Sequence, residues 1–355
     1  MAAVPDWLRS PRTLLVVLVL SVLVTVVFAA TTSTAAFGAY NPAWDGASGL
    51  QAQASAVDAD SGITINTTTY QRVDPEATVS VILTPDDAYG PRDRSRVRTF
   101  VEEGGTLVVA EDFGPHSNTL LDALGVQTRV DGRLLRDERY YYQSPNITVA
   151  NDVTQHPLTT DVEQLTLNHG TGLVVDAGEE SETEILVNSS SFAYYDANRN
   201  AAFDESESIG RRPVATVEPV GEGRVIVVSD PSMMINVMLD RPGNQAFVRN
   251  VFGAHDRVVL DYSHTESLPP LGYALVVVRD SGPLQATVGL FGVALVVVAS
   301  RRRDLLAGLF TRQEDEPLDV DALVAHLRRE HPEWDADRLE RVARLRRRNG
   351  ESTDE

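Results

Sequence analysis

Two charge-free apolar runs bracket a long stretch in which short β-branched runs alternate with helical spacing. The first covers residues 14–30 (LLVVLVLSVLVTVVFAA) and follows Arg9 and Arg12. The second covers residues 284–300 (LQATVGLFGVALVVVAS), opens after Pro283 and ends at Arg301, Arg302 and Arg303. Runs of this length and polarity predict transmembrane helices, and the flanking arginines put both termini on the cytoplasmic side. The expected order is a cytoplasmic N-terminus (1–13), a membrane helix (14–30), an extracellular domain (31–283), a second membrane helix (284–300) and a cytoplasmic helical tail (301–355). The predicted location is the cell membrane, with membrane lipid as a partner. Small residues around Ala35 to Ala39 leave a cleaved signal peptide as the other reading of the first run.

Between these runs the pattern predicts an α/β domain. A helix is expected over 46–58 and a strand over 63–69. TVSVIL at 78–83 reads as a buried strand, 93–103 as a helix through Val97, Phe100 and Val101, and Gly104-Gly105 as its stop. TLVVA at 106–110 is the next strand, followed by a short helix over 118–124 closed by Gly125. RVIVV at 224–228 and a helix over 244–252 complete the series. Strand, helix, Gly-Gly, strand, helix is the rhythm of right-handed βαβ units, so an open, mostly parallel sheet is expected. Residues 126–220 read as strands and loops, a β-rich insertion or sheet extension.

Charge narrows the partners. Of 355 residues, 51 are Asp or Glu and 31 are basic, a net of -20, and every basic residue is arginine. An acidic chain argues against nucleic acid, because phosphate binding needs clustered positive charge. Nearly all the acidic excess falls in 31–283. A lysine-free, acid-rich surface stays soluble where salt screens charge, which predicts a halophilic source; GC-rich coding would also replace Lys with Arg. With no cysteine, the chain has no disulfide, thiolate metal site or cysteine nucleophile.

The blocks TPDDAYGPRDRSRVRTFVEEGGTLVVAEDFG, LRDERYYYQSP, HPLTTDVEQLTLNHGTGL and PVATVEPVGEGRVIVVSDPSMMINVML, with their apolar flanks, resemble a haloarchaeal membrane family, domain of unknown function 4350. The resemblance implies a flavodoxin-like fold, similar to class I glutamine amidotransferases and ThuA-type proteins. It also implies membrane-complex partners, a MoxR-type ATPase and a transglutaminase-like protein. Amidotransferase chemistry itself is excluded, since its nucleophile is a thiolate.

Open parallel sheets bind ligands at the carboxyl ends of their strands. Asp86, Asp112, Asp230 and Ser232 follow such ends and could serve as acid/base groups, or else simply cap the turns behind them. The expected function is therefore a non-enzymatic binding or scaffold protein anchored in the membrane, the alternative being a carboxylate-dependent hydrolase-like enzyme. DANRNAAFDESE at 196–207 has the oxygen-ligand spacing of a calcium loop: Asp196, Asn198, Asn200, the Ala202 carbonyl, Asp204 and Glu207. Ala201 departs from that pattern, where glycine normally makes the sharp turn. In the tail, Asp319 and Asp335 are expected to cap two helices burying Leu323, Val324 and Leu327, then Leu339, Val342 and Leu345.

Overall fold

Five strands order themselves into one parallel ladder: four are apolar runs buried on both faces, and the fifth, DSGIT at 60–64, is a polar strand at the sheet edge. They are β1 (Asp60–Thr64), β2 (Thr78–Leu83), β3 (Thr106–Ala110), β7 (Gly223–Val228) and β8 (Arg257–Asp261); between β3 and β7 in the chain come β4 (Asp152–Val153), β5 (Glu184–Asn188) and β6 (Pro213–Val220). The sheet order is β1-β8-β2-β3-β7-β6-β5-β4. The computed structural model describes residues 17–18, 21–22, 24–25, 33–176, 182–265, 269–279, 281–301 and 320–351. These divide into two units, 1–286 and 287–355.

Two apolar layers clothe the sheet of the first unit. On one face α1 (Gly49–Ser55) and α4 (Pro242–Phe252) bury Leu50, Phe247 and Val251 against Val81, Val108 and Ile226. On the other, α2 (Pro91–Glu102) and α3 (Ser117–Leu124) bury Phe100, Leu120 and Leu124 against Ile82, Leu107 and Val227. Alternation along each strand sends neighbours to opposite layers, so Val108 and Val109 serve different cores. Gly104, at φ 108, supplies the left-handed turn that frees the chain from α2 into β3.

The sheet is mixed rather than mostly parallel. β1, β8, β2, β3 and β7 pair in parallel, but β7, β6, β5 and β4 continue the same sheet in antiparallel ladders. Three further small antiparallel sheets lie in the region 128–196. The parallel part also departs from a flavodoxin order, because the last strand, β8, inserts between β1 and β2. The turn Gly221-Glu222 allows this mixture: Gly221 at φ 64 closes a tight hairpin and returns the chain antiparallel. Likewise, the strand expected over 63–69 stops at Thr64. There the Asn66 side chain accepts from the Thr68 N–H and starts a 3-10 turn over Thr67–Gln71.

The two expected membrane helices are not supported. Among the described residues no helix is long and apolar enough to cross a membrane. The second run does form a helix, Gly282–Arg301, but Gln285, Thr287 and Gly289 dilute its first half. The first run lies mostly outside the described residues.

In the second unit, Val320–Glu330 and Ala336–Glu351 form a helical pair around Leu327, Leu339 and Ala343. Asp335 accepts from the Arg338 N–H at 2.7 Å, as its place before the helix predicts. Leu345, expected inside, is 56% exposed. Asp319 lies outside the described residues.

Candidate functional site

The sheet's carboxyl ends carry two polar clusters, and the alternation of side chains decides which carboxylate joins which. Past β3, Glu111 turns toward α3 and Asp112 to the opposite face. Past β7, Ser229 and Asp230 divide in the same way.

Glu111 is fully buried and saturated. Its Oε1 accepts from the N–H groups of Asp112 (2.9 Å) and Gly114 (2.8 Å) and from Thr84 Oγ1 (3.2 Å), and its Oε2 from Ser117 Oγ (3.1 Å). It fixes the turn that launches α3. Thr84, held at φ 33, is strained by this arrangement and retained by it.

Asp230 is also fully buried. It accepts from the backbone N–H groups of Asn168 and Ser232, the latter at 2.7 Å, and thereby caps the 3-10 turn Pro231–Met234. Ser232 thus enters through its N–H. The segment Asn168-His169-Gly170 crosses directly over Asp230, so closely that a Cβ on Gly170 would lie 2.7 Å from the Asp230 Cβ. Burial pushes the Asp230 carboxyl up to about 7, with the nearby charge of Asp112 adding to the effect. Burial likewise lifts Asp112 to about 6, opposed by its bond from the Phe113 N–H and reinforced by Glu111. Asp112 and Asp230 each lie two residues past the paired Ala110 and Val228 and are neighbours at the ends of β3 and β7.

Asp86 belongs elsewhere. It is exposed, and its N–H donates to the His264 carbonyl at 2.9 Å, tying it to the end of β8. That second cluster centres on Asp261, which sequence reasoning missed although Val258-Val259-Leu260 ending in Asp repeats the signature of the other strands. Asp261 Oδ2 accepts from the hydroxyls of Tyr70 (2.7 Å) and Tyr89 (3.1 Å), and Oδ1 from the Ser263 N–H (2.8 Å). Burial, then the Asp261 charge, raises both phenols well above their ordinary value. Tyr89 stacks on His264 with ring centroids 3.8 Å apart.

After β3 the chain crosses to the far edge at β4 and comes inward through β5 and β6 to β7 before it reaches β8. α3 follows β3 on one face and α4 follows β7 on the other, so the sides switch between β3 and β7, the ends that carry Asp112 and Asp230. At the ends of β8 and β2 the Tyr89–His264 stack and the buried Tyr70–Asp261 pair occupy the space. Ser263 Oγ lies 2.8 Å from His264 Nδ1, but His264 Nε2 is 3.7 Å from Asp93, too long for a hydrogen bond. Asp93 is taken up by Thr67 and Arg96.

The loop 196–207 follows the strand Ala193–Asp196 and turns as its spacing predicts. Ala201 sits at φ 64 in the place glycine would take. Asp196 accepts from the N–H groups of Asn200 and Ala201, both at 3.0 Å, and lies 3.8 Å from Arg136 Nε. Asn198 and Asn200 donate to Asp204, and Glu207 accepts from the N–H groups of Ala197 and Asp204. Ala202 donates its N–H to Asn200 Oδ1. Among the described residues no three His, Asp or Glu side chains are grouped as metal ligands would be. The loop does reach the strand ends, since the Arg199 guanidinium lies 4.8 Å from the Phe113 ring, next to Asp112.

Residues 39–252 match the family described as Domain of unknown function (DUF4350). No curated protein matches. Among solved structures, the chain is similar to the N-terminal domain of mmIFT52, at 17% identity over 53% of this chain and 80% of that one, with a TM-score of 0.41. A cytoplasmic protein from Salmonella typhimurium LT2 is similar at 14% identity over 58% and 86%, with a TM-score of 0.36. A putative ThuA-like protein from Bacteroides uniformis is similar at 12% over 59% and 79%, with a TM-score of 0.33.

Proposed function

The chain belongs to the DUF4350 family, and from the chemistry of its strand ends we propose that it is a non-enzymatic binding domain that recognises another protein. The observation that carries this reading is the use already made of the strand-end carboxylates. Glu111, Asp230 and Asp261 each spend their oxygens on backbone N–H groups or buried hydroxyls that hold turns in place. A general base needs a free lone pair within reach of a substrate proton.

One feature favours the hydrolase-like alternative: Asp112 and Asp230 are adjacent and both are held near neutrality, at about 6 and about 7. The partners proposed from family resemblance are a MoxR-type ATPase and a transglutaminase-like protein. Affinity capture of the tagged full-length chain from its native source, read by mass spectrometry, is expected to recover one of them in stoichiometric amount. Turnover of chromogenic esters, phosphoesters or glycosides that Asp112→Asn abolishes would overturn the binding reading.

A further inference from the structure

One cavity of the first unit lies among the β-rich segments and the start of α4, and it pairs open aromatic faces with arginines that lack an acid partner. It encloses about 750 Å³ between the Tyr140–Tyr142 segment, residues 161–166 and the start of α4. Three consecutive tyrosines reach it because the ladder between Tyr141–Tyr142 and Ser144–Ala150 shifts register between Tyr141 and Tyr142. That shift breaks the normal alternation of sides. Tyr140 is 36% and Tyr141 45% exposed.

Arg241 stacks on Tyr142 with its guanidinium carbon 4.2 Å from the ring centre, and its Nε is buried without a hydrogen-bond partner. Arg139 lies 4.3 Å from the Phe192 ring. Among the described residues neither arginine makes an ion pair, in a chain where acids outnumber arginines 51 to 31. The N-terminus of α4 opens into the same space: Pro242 occupies its first turn, no side chain caps it and no acid sits there. Its dipole adds to the two guanidinium charges.

A carboxylate fits this end of the cavity, because the planar guanidinium fork matches it. A densely charged anion such as a polyphosphate does not, since Asp161 and Glu163 line the same cavity beside Gln164. Those three supply acceptors for hydroxyl groups, and an exposed tyrosine face suits the apolar face of a sugar ring. We propose that this cavity binds a uronic-acid-containing oligosaccharide: the carboxylate on Arg241 and Arg139, the ring face on Tyr141, the hydroxyls on Asp161, Glu163 and Gln164. This inference is independent of the protein partner proposed above.

The test is isothermal titration of the full-length protein with digalacturonic acid at fixed ionic strength, beside its methyl ester and a diglutamate peptide. Saturable binding of the acid is expected. The ester should bind at least about tenfold more weakly, as loss of a charge-assisted bond implies. Arg241→Met should weaken the acid by about the same factor. Tyr141→Ala, at an exposed side chain that folding does not need, should weaken it as well, with the fold checked by circular dichroism. The proposal is overturned if the acid gives no saturable heat, if diglutamate binds as well as the sugar, or if both variants bind unchanged.

Discussion

Asp230 makes the stability of the domain depend on pH in a direction opposite to that of an ordinary salt-bridged acid. Held at about 7 in the folded chain and at its ordinary 3.8 when unfolded, its carboxyl takes up a proton on folding anywhere between those values. The folded state is therefore favoured below the lower value, and that contribution is lost as pH rises through about 7. Linkage puts the whole effect at about 4 kcal/mol, and the part between pH 5.5 and pH 8 at about 2 kcal/mol. No discount for solvent applies, because the side chain is fully buried. The self-repulsion of an acidic surface relaxes with acid in the same direction, so wild type alone does not isolate Asp230. Asp230→Asn does. It removes the charge and keeps one acceptor for the Asn168 or Ser232 N–H. Urea unfolding followed by circular dichroism, at fixed ionic strength and at pH 5.5 and 8, should show wild type more stable at pH 5.5. The gain should be larger than that of Asp230→Asn by about 2 kcal/mol. Equal gains in the two proteins, or a wild type that grows more stable with rising pH, would refute the reasoning.

Other substitutions test the same architecture. Gly170→Ala would place a methyl 2.7 Å from the Asp230 Cβ, with a backbone carbonyl close behind, and should cost about 1–3 kcal/mol in denaturant unfolding. Glu111→Ala strands the Asp112 and Gly114 N–H groups inside the protein and should cost about 2–4 kcal/mol; Glu111→Gln should recover part of it. Ala201→Gly relieves a left-handed backbone at φ 64 and should raise stability by up to about 1 kcal/mol. Because Asp196, Asp204 and Glu207 are already satisfied within their loop, thermal melts with calcium and with chelator should coincide; a rise with calcium that Glu207→Gln removes would establish the twelve-residue site.

Much of the parallel sheet was legible as runs of β-branched residues ending in acids, because strands buried on both faces leave no other composition open to them. β2, β3, α3 and the Gly104-Gly105 stop fall where the pattern puts them. So does the turn at Ala201, since twelve-residue spacing is a local property of the chain. Partnership was not legible. Nothing in RVVLD says that β8 inserts between β1 and β2, and only that placement brings Asp261 beneath Tyr70 and Tyr89, far away in sequence. Asp86, Asp112 and Asp230 carry the same sequence signature, a strand followed by an acid. Yet strand order and the parity of each side chain join Asp112 to Asp230 and send Asp86 to β8. Apolarity likewise reads directly from residues 284–300, whereas the helix that forms over Gly282–Arg301 does not meet the length and hydropathy of a span. Periodicity records how a segment hides its own apolar side; which groups meet across the sheet is fixed by loop closure and packing, terms that sum over the whole domain.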